Sequence, residues 1–451
     1  MNKLFDAFDS VSSKQWKQKI QVDLKGADYN ETLIWKTSDG IDVKPFYHSD
    51  DFKTTPKKSQ TKATEWKISQ SIVATNASIS NELAKYALEN GAEHTIFNIL
   101  STDIDLSKLV EGIEEPIHFN FNYFTDDIIK KISDLSVKNL SYNNDIIGHL
   151  SQSGNWFVDL KQDHIALEKS IKAHNQLYID LNHYQNAGAT NVQQLAYAMA
   201  HITEYLNHFE EKLSTTEKQN LKIVFNVALG SNYFFEIAKL RALRQLWFTL
   251  GEDFGYNNTC KIQATPSKRN KTIYDYNVNM LRTTTECMSA VLGGANIIYN
   301  QPYNQLFQNP TDFGERISRN QLLVLKKESY FDAVDNPSDG SYYIESLTEQ
   351  LSEKALMLFK NLESNGGFLK QLKEGTIQRK IKASAQKEQS DFDNNEITLL
   401  GTNKHPNNND RMANNLEKSP FLKIEKRKTL IEPILEKRLA ETIEQNRLKD
   451  E

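Results

Sequence analysis

The chain has 451 residues, 39% of them hydrophobic and 25% charged, with a formal net charge of −5. That composition supports a packed core and excludes wholesale disorder. The mildly acidic balance argues against a nucleic-acid partner or an anionic membrane, either of which favours a basic face.

Residues 1–62 read as an N-terminal arm and linker. After an amphipathic start, the segment DLKGADYNETLIWKTSDGIDVKPFY (23–47) is broken by Gly26, Gly40 and Pro45. The polar stretch HSDDFKTTPKKSQTKATE follows as a linker. Asp6 and Asp9 interrupt the start where a secretion signal needs an apolar run, and no stretch reaches the length of a membrane span. A cytoplasmic protein is the expectation.

From Trp66 a regular alternation begins. Short apolar runs predict strands at 66–74, 94–100, 115–123, 155–160, 177–184, 221–229, 259–266 and 295–302. Helical patterns separate them, among them ISNELAKYALEN, NVQQLAYAMAHITEYLNHF, YFFEIAKLRALRQLWFTL and VNMLRTTTECMSAVL. Eight strands alternating with helices predict an α/β fold, a (β/α)8 TIM barrel spanning 63–385. An open doubly wound sheet is the other arrangement that such alternation allows. Residues 386–451 are expected to form a polar, flexible loop around Pro406 and then a charged helical tail. Cys260 and Cys287 cannot make a disulfide framework, match no metal spacing, and are expected in the core.

The stretch from His183 to Tyr205, HYQNAGATNVQQLAYAMAHITEY, leads from the strand-like LYIDL through a Gly-Ala-Thr turn into a helix. Polar groups at the C-terminal ends of barrel strands are where such folds hold their chemistry. A lone His would ordinarily be read as bonding a loop. Three further segments stand out. In GSNYFFEIAKLRALRQLW, Asn232 is placed to cap a helix. In TTTECMSAVLGGANIIYNQPYN, Gly293 and Gly294 end a helix before a buried strand. In FGERISRNQLLVLKKESYFDAVDNPSDGSYYIESLTEQL, Asp335, Pro337, Asp339 and Gly340 make a turn-rich loop, with a helix from Tyr342 to Leu351.

Together these segments resemble the methylmalonyl-CoA mutase family, discontinuously from about residue 23 to about residue 386. Around the family's active-site histidine, relatives read Tyr-His-Met-Gln-Glu-Ala-Gly-Ala, and this chain has Asn182-His183-Tyr184-Gln185-Asn186-Ala187-Gly188-Ala189. Where active members place Ser-Leu-His-Thr-Asn, this chain has Ile297-Ile298-Tyr299-Asn300-Gln301. The family's substrate arginine in Arg-Thr-Gln-Thr-Ser-Gly falls on Ala264, and Lys268 and Arg269 are expected in a water-facing loop. The resemblance puts Tyr178 and Asp180 where active members line the barrel with serines, which implies a filled barrel.

The resemblance therefore implies a small, non-catalytic subunit of a heterodimeric mutase, with His183 a vestigial catalytic position and Asn182 and Ala264 eroded substrate positions. Adenosylcobalamin and acyl-CoA would be bound by the large catalytic partner, since this chain has no Asp-x-His-x-x-Gly motif and its expected barrel leaves no room for a cobalamin domain. No metal, nucleic-acid or membrane partner is implied. Trp35, Phe46 and Tyr47 in the arm are expected at the subunit interface, the alternative being an arm folded over its own barrel bottom. Two rival functions remain: a catalytic barrel that borrows cobalamin from a separate subunit, and a partner-free scaffold or binding protein.

Overall fold

The computed structural model describes residues 7–451 other than 55, 57, 60, 138 and 425. Eight parallel strands run β1 (Lys67–Ala74), β2 (His94–Ile99), β3 (Ile117–Phe121), β4 (Leu140–Tyr142), β5 (Gln176–Asp180), β6 (Lys222–Leu229), β7 (Cys260–Pro266) and β8 (Ile297–Tyr299). Their hydrogen-bonded order is β4-β3-β2-β1-β8-β7-β6-β5. The TIM-barrel expectation is met. The two-residue strand period divides each strand: in β6, Asn226 and Ala228 face the lumen, while Val227 and Leu229 join the apolar layer under the helices.

Between β4 and β5 the backbone ladder is replaced by side chains. Asn144 stands in for a strand: its Nδ2 donates to the Gln176 carbonyl at 2.8 Å, and its Oδ1 accepts from the Tyr178 N–H at 2.9 Å. Asp145 Oδ2 accepts from the Asp180 N–H at 2.8 Å. An edge strand exposes unpaired backbone groups, and this stitching satisfies those of β5.

The barrel's fourth strand is not the predicted one. Residues 155–160 form a loop and a helix start. Asp159 caps the helix by accepting from the N–H groups of Lys161 and Gln162, and Asp163 takes those of Phe157 and Val158 at 2.8 and 3.0 Å. Backbone donors committed to side chains cannot join a ladder. The true β4, Leu140–Tyr142, is three residues long and too short to show a period.

The helices that matter for the site are α1 (Ser13–Asp23) in the arm, α2 (Ala77–Glu89), α3 (Ile146–Ser153), α4 (Leu160–His174), α5 (Asn182–Asn186), α6 (Asn191–Phe209), α7 (Tyr233–Asp253), α8 (Val278–Leu292), α9 (Asp312–Leu323), α10 (Tyr342–Ser364), α11 (Thr376–Asp393) and α12 (Glu441–Lys449). α6 starts with a full capping box, in which the Thr190 hydroxyl accepts from Gln193 N–H and the Gln193 side chain accepts from Thr190 N–H.

The arm is more ordered than its sequence suggests. It carries α1 and a two-stranded hairpin, Trp35–Lys36 with Asp42–Val43. It also folds onto its own chain. Ile41 is fully buried, the Asp39 carboxylate accepts from Val192 N–H at the start of α6 at 2.8 Å, and Tyr47 stacks on Tyr343 of α10. The site of docking is the rim where the barrel strands end, not the barrel bottom.

The C-terminal region also departs from expectation. The break expected at 385/386 lies inside α11, and in 425–451 the only helix among the described residues is α12. The tail is anchored rather than loose: Met412, Ile431, Ile434 and Leu439 are buried. Residues 427–440 cross the barrel mouth as an extended strap, with Leu430 N–H donating to Gly154 O at 2.9 Å and Ile434 N–H to Ser151 O at 2.8 Å.

Candidate functional site

The strand C-termini surround a cavity of about 380 Å³ in the upper lumen. Its floor is built by His118 and Tyr178, whose rings stack 4.6 Å apart, and by Gln263, which donates to the Tyr178 hydroxyl at 3.2 Å. One wall is a carboxamide ladder: Asn120 donates to Asn98 at 3.0 Å and Asn98 to Ser71 at 2.7 Å. Below the floor, His94 bonds Ser69 at 2.8 Å. Burial pushes His94 and His118 down to about 3, so both are neutral imidazoles at pH 7. Tyr178 and Asp180 do face the lumen, as expected. Tyr178 fills the lower half with His118 and Gln263, and the upper half remains a polar chamber.

Asp180 sits at the chamber rim. It accepts from Asn182 N–H and Asn226 Nδ2, both at 3.1 Å, and from Gln152 Nε2 at 3.2 Å. Burial is the main reason its carboxyl is pushed up to about 6, and nearby Asp145 adds to the rise. Asp145 lies deeper and moves the other way. Burial opposes its ionisation, but His201 Nε2 at 2.9 Å, Tyr205 OH at 2.6 Å and Gly148 N–H at 2.8 Å hold it below the usual carboxylate range.

His183 is fully buried on α5, behind the chamber rather than in its lining. Its Nε2 lies 2.7 Å from Ser151 Oγ and its Nδ1 3.2 Å from Gln152 Nε2. Burial pushes it down to about 3. A ring whose two nitrogens are both bonded within the fold is not poised to exchange protons with a substrate. Asn182 does reach the chamber. So does Tyr299, at the position where the resemblance loses a histidine.

Two expectations change. Ala264 faces away from the lumen into the apolar layer, paired in register with Val227 and Ile298. No side chain at that position reaches a ligand on the barrel axis, so Ala264 is not an eroded contact of the lumen; Gln263 and Thr265 are the inward residues of β7. Arg269 is not water-facing. It is buried, with Nε on Glu388 at 2.5 Å and Nη1 on the Lys437 carbonyl at 2.7 Å. Lys268 is half exposed and bonds Glu436 of the strap at 3.2 Å. Glu436 also accepts from Asn186 at 3.3 Å and forms the chamber roof. Burial resists its ionisation, but Lys268 holds its carboxyl below the usual range.

Sequence reasoning missed Asn144, Asp145, Ser151, Gln152 and Glu436. None lies in a periodic or motif-bearing segment. Both cysteines are buried and free, as expected. Among the described residues no cluster of His, Cys, Asp and Glu is arranged to hold a metal ion, and no helix is long and apolar enough to cross a membrane.

A family model described as methylmalonyl-CoA mutase matches residues 134–448. The chain is 35% identical over 441 residues to the methylmalonyl-CoA mutase small subunit of Porphyromonas gingivalis, covering 90% of this chain and 71% of that one. It is 28% identical over 458 residues to the methylmalonyl-CoA mutase of Rhizobium meliloti, covering 87% and 64%. To the small subunit from Propionibacterium freudenreichii subsp. shermanii it is 39% identical over 196 residues, 43% of this chain and 31% of that one. The chain thus spans roughly two thirds of the length of the first relatives it matches.

Proposed function

Because the chain belongs to the methylmalonyl-CoA mutase family, we propose that it is the small, non-catalytic subunit of the enzyme that interconverts methylmalonyl-CoA and succinyl-CoA, working in the cytoplasm beside a homologous large subunit. The family uses adenosylcobalamin, whose radical chemistry the surrounding protein positions and shields. One observation carries the non-catalytic reading: the lumen through which an acyl-CoA would reach the barrel mouth is occupied by Tyr178, with His118 stacked on its ring and Gln263 bonded to its hydroxyl.

The residues at the mouth do not fit the cofactor either. A cobalt ligand needs a free imidazole nitrogen, and His183 has both bonded and is fully buried. The Glu436–Lys268 pair lies over the chamber. Cobalamin and acyl-CoA are therefore assigned to the large subunit. Homologous barrels pair about a pseudo-twofold axis, so one surface is kept while the second site decays. In the arm, Trp35 is 51% exposed and, of Trp35, Phe46 and Tyr47, offers a partner the most surface. Phe46 and Tyr47 are half-buried against Trp16 and Tyr343, which leaves only their edges for a partner.

The test is expression of the chain alone and together with a large mutase subunit. The expected result is a heterodimer on size exclusion and mutase activity only in the co-expressed sample. The isolated chain should leave the visible spectrum of added adenosylcobalamin unchanged. Saturable cobalamin binding, or turnover by the isolated chain, would overturn the reading.

A further inference from the structure

The upper-lumen chamber does not behave as inert filling, and its chemistry is one-sided. Asp180 and Glu436 present carboxylates to it, and Lys268, its one lining cation, is already bonded to Glu436. Two amide oxygens, Asn182 Oδ1 and Asn226 Oδ1, are buried without a hydrogen-bond partner among the described residues. The Asn226 amide orientation is fixed, because its Nδ2 donates to the Asp180 carboxylate. Its unbonded atom is therefore an acceptor, on a residue 7% exposed. An acceptor left unpaired in a fold is destabilising, so the site favours whatever brings donors. The rings of Tyr178 and Tyr299 line the same space.

We propose that the chamber between Asp180, Asn182, Asn226 and the two tyrosine rings is a binding site for a small aliphatic primary ammonium ion. The ammonium carries three donors and no acceptor, which complements one carboxylate and two unpaired amide oxygens. A chamber of about 380 Å³ has room for a short diamine or amino alcohol, and its two carboxylates disfavour an anion such as a nucleotide. The strap bearing Glu436 roofs the ligand, so binding would register at the mouth. The inference rests on the lumen alone and does not depend on the subunit's role in the mutase.

The experiment is calorimetric titration of the full chain with 1,4-diaminobutane, and with butane-1,4-diol and succinate as neutral and anionic probes of the same length. Saturable binding of the diamine is expected at or below about 1 mM, with the other two weaker by about tenfold or more. Asp180→Asn and Asn226→Ala should each weaken the diamine by about tenfold.

Because either variant could misfold, the wild-type protein supplies an independent readout. Diamine binding should weaken as the pH falls below about 6, where Asp180 takes up a proton. The other groups facing Asp180 are Asp145 below it, held ionised by His201, and Glu436 above it, held ionised by Lys268. His183 on α5 stays neutral at that pH. No saturable diamine binding, equal binding of the diol, or binding unaltered by both variants and by pH would each overturn the proposal.

Discussion

Asn144→Ala should open the barrel at its side-chain seam. Asn144 is 1% exposed and its carboxamide makes three bonds: to Gln176 O at 2.8 Å, to Ser170 Oγ at 3.1 Å, and from Tyr178 N–H at 2.9 Å. Removing it leaves the Gln176 carbonyl and the Tyr178 N–H of β5 without partners in the interior. Each such group costs about 1–3 kcal/mol, so the variant should lose about 3–5 kcal/mol. Asn144→Asp should be nearly as harmful, because it keeps the acceptor for Tyr178 but sets an oxygen against the Gln176 carbonyl. Urea unfolding measures the loss, and hydrogen exchange locates it: the Tyr178 and Asp180 amides should exchange faster while those of β1 and β2 keep their protection. A loss below about 1 kcal/mol, or uniform loosening of all eight strands, would refute the seam.

His183→Ala should cost about 2–4 kcal/mol of stability, from the void and the lost bonds to Ser151 and Gln152, yet leave the activity of a heterodimer within a few-fold of wild type; a loss on the order of 10²-fold, typical of removing a general acid or base, would return this barrel to the catalysts. Lys271→Met strands Glu286, which is 1% exposed in its side chain and bonded to Lys271 at 2.8 Å, and should cost about 3–5 kcal/mol. Lys268→Met breaks a pair that is roughly half exposed and should cost under about 1 kcal/mol, as a chemical-denaturation comparison of the two variants would show. Asp180 has its folded pKa raised to about 6, so the stability it contributes is fully present below about pH 4 and is lost as the pH rises through about 6; Asp180→Asn, which cannot ionise, should flatten the stability–pH curve between about pH 4 and 6.

The barrel was legible because its strands and helices obey two different periods, and the structure confirms local signals such as the Asn232 cap on Phe235 N–H at 3.5 Å. Gly294 was legible for a similar reason: it lies at φ +84°, and a Cβ there would meet Thr61 at 2.1 Å. Three-residue β4 carries no period, so NWFVDL drew the strand assignment instead. Ala264 was misplaced because a one-residue shift in a strand exchanges the lumen for the outer layer. Arg269 and Glu436 were unreadable because their partners lie more than 100 residues away, Glu388 at 119 and Asn186 at 250. Burial of a charge is set by such partners and not by its neighbours in sequence.

The strap has a consequence in time as well as in space. Its anchors on Gly154, Ser151 and Asn186 join residues far apart in sequence, while the barrel's own strands pair mostly with their sequence neighbours. Contacts that close long loops form after those that close short ones, because their entropy must be met before they stabilise anything. A chain emerging from the ribosome therefore completes its barrel with the mouth uncovered, and residues 427–440 close it last.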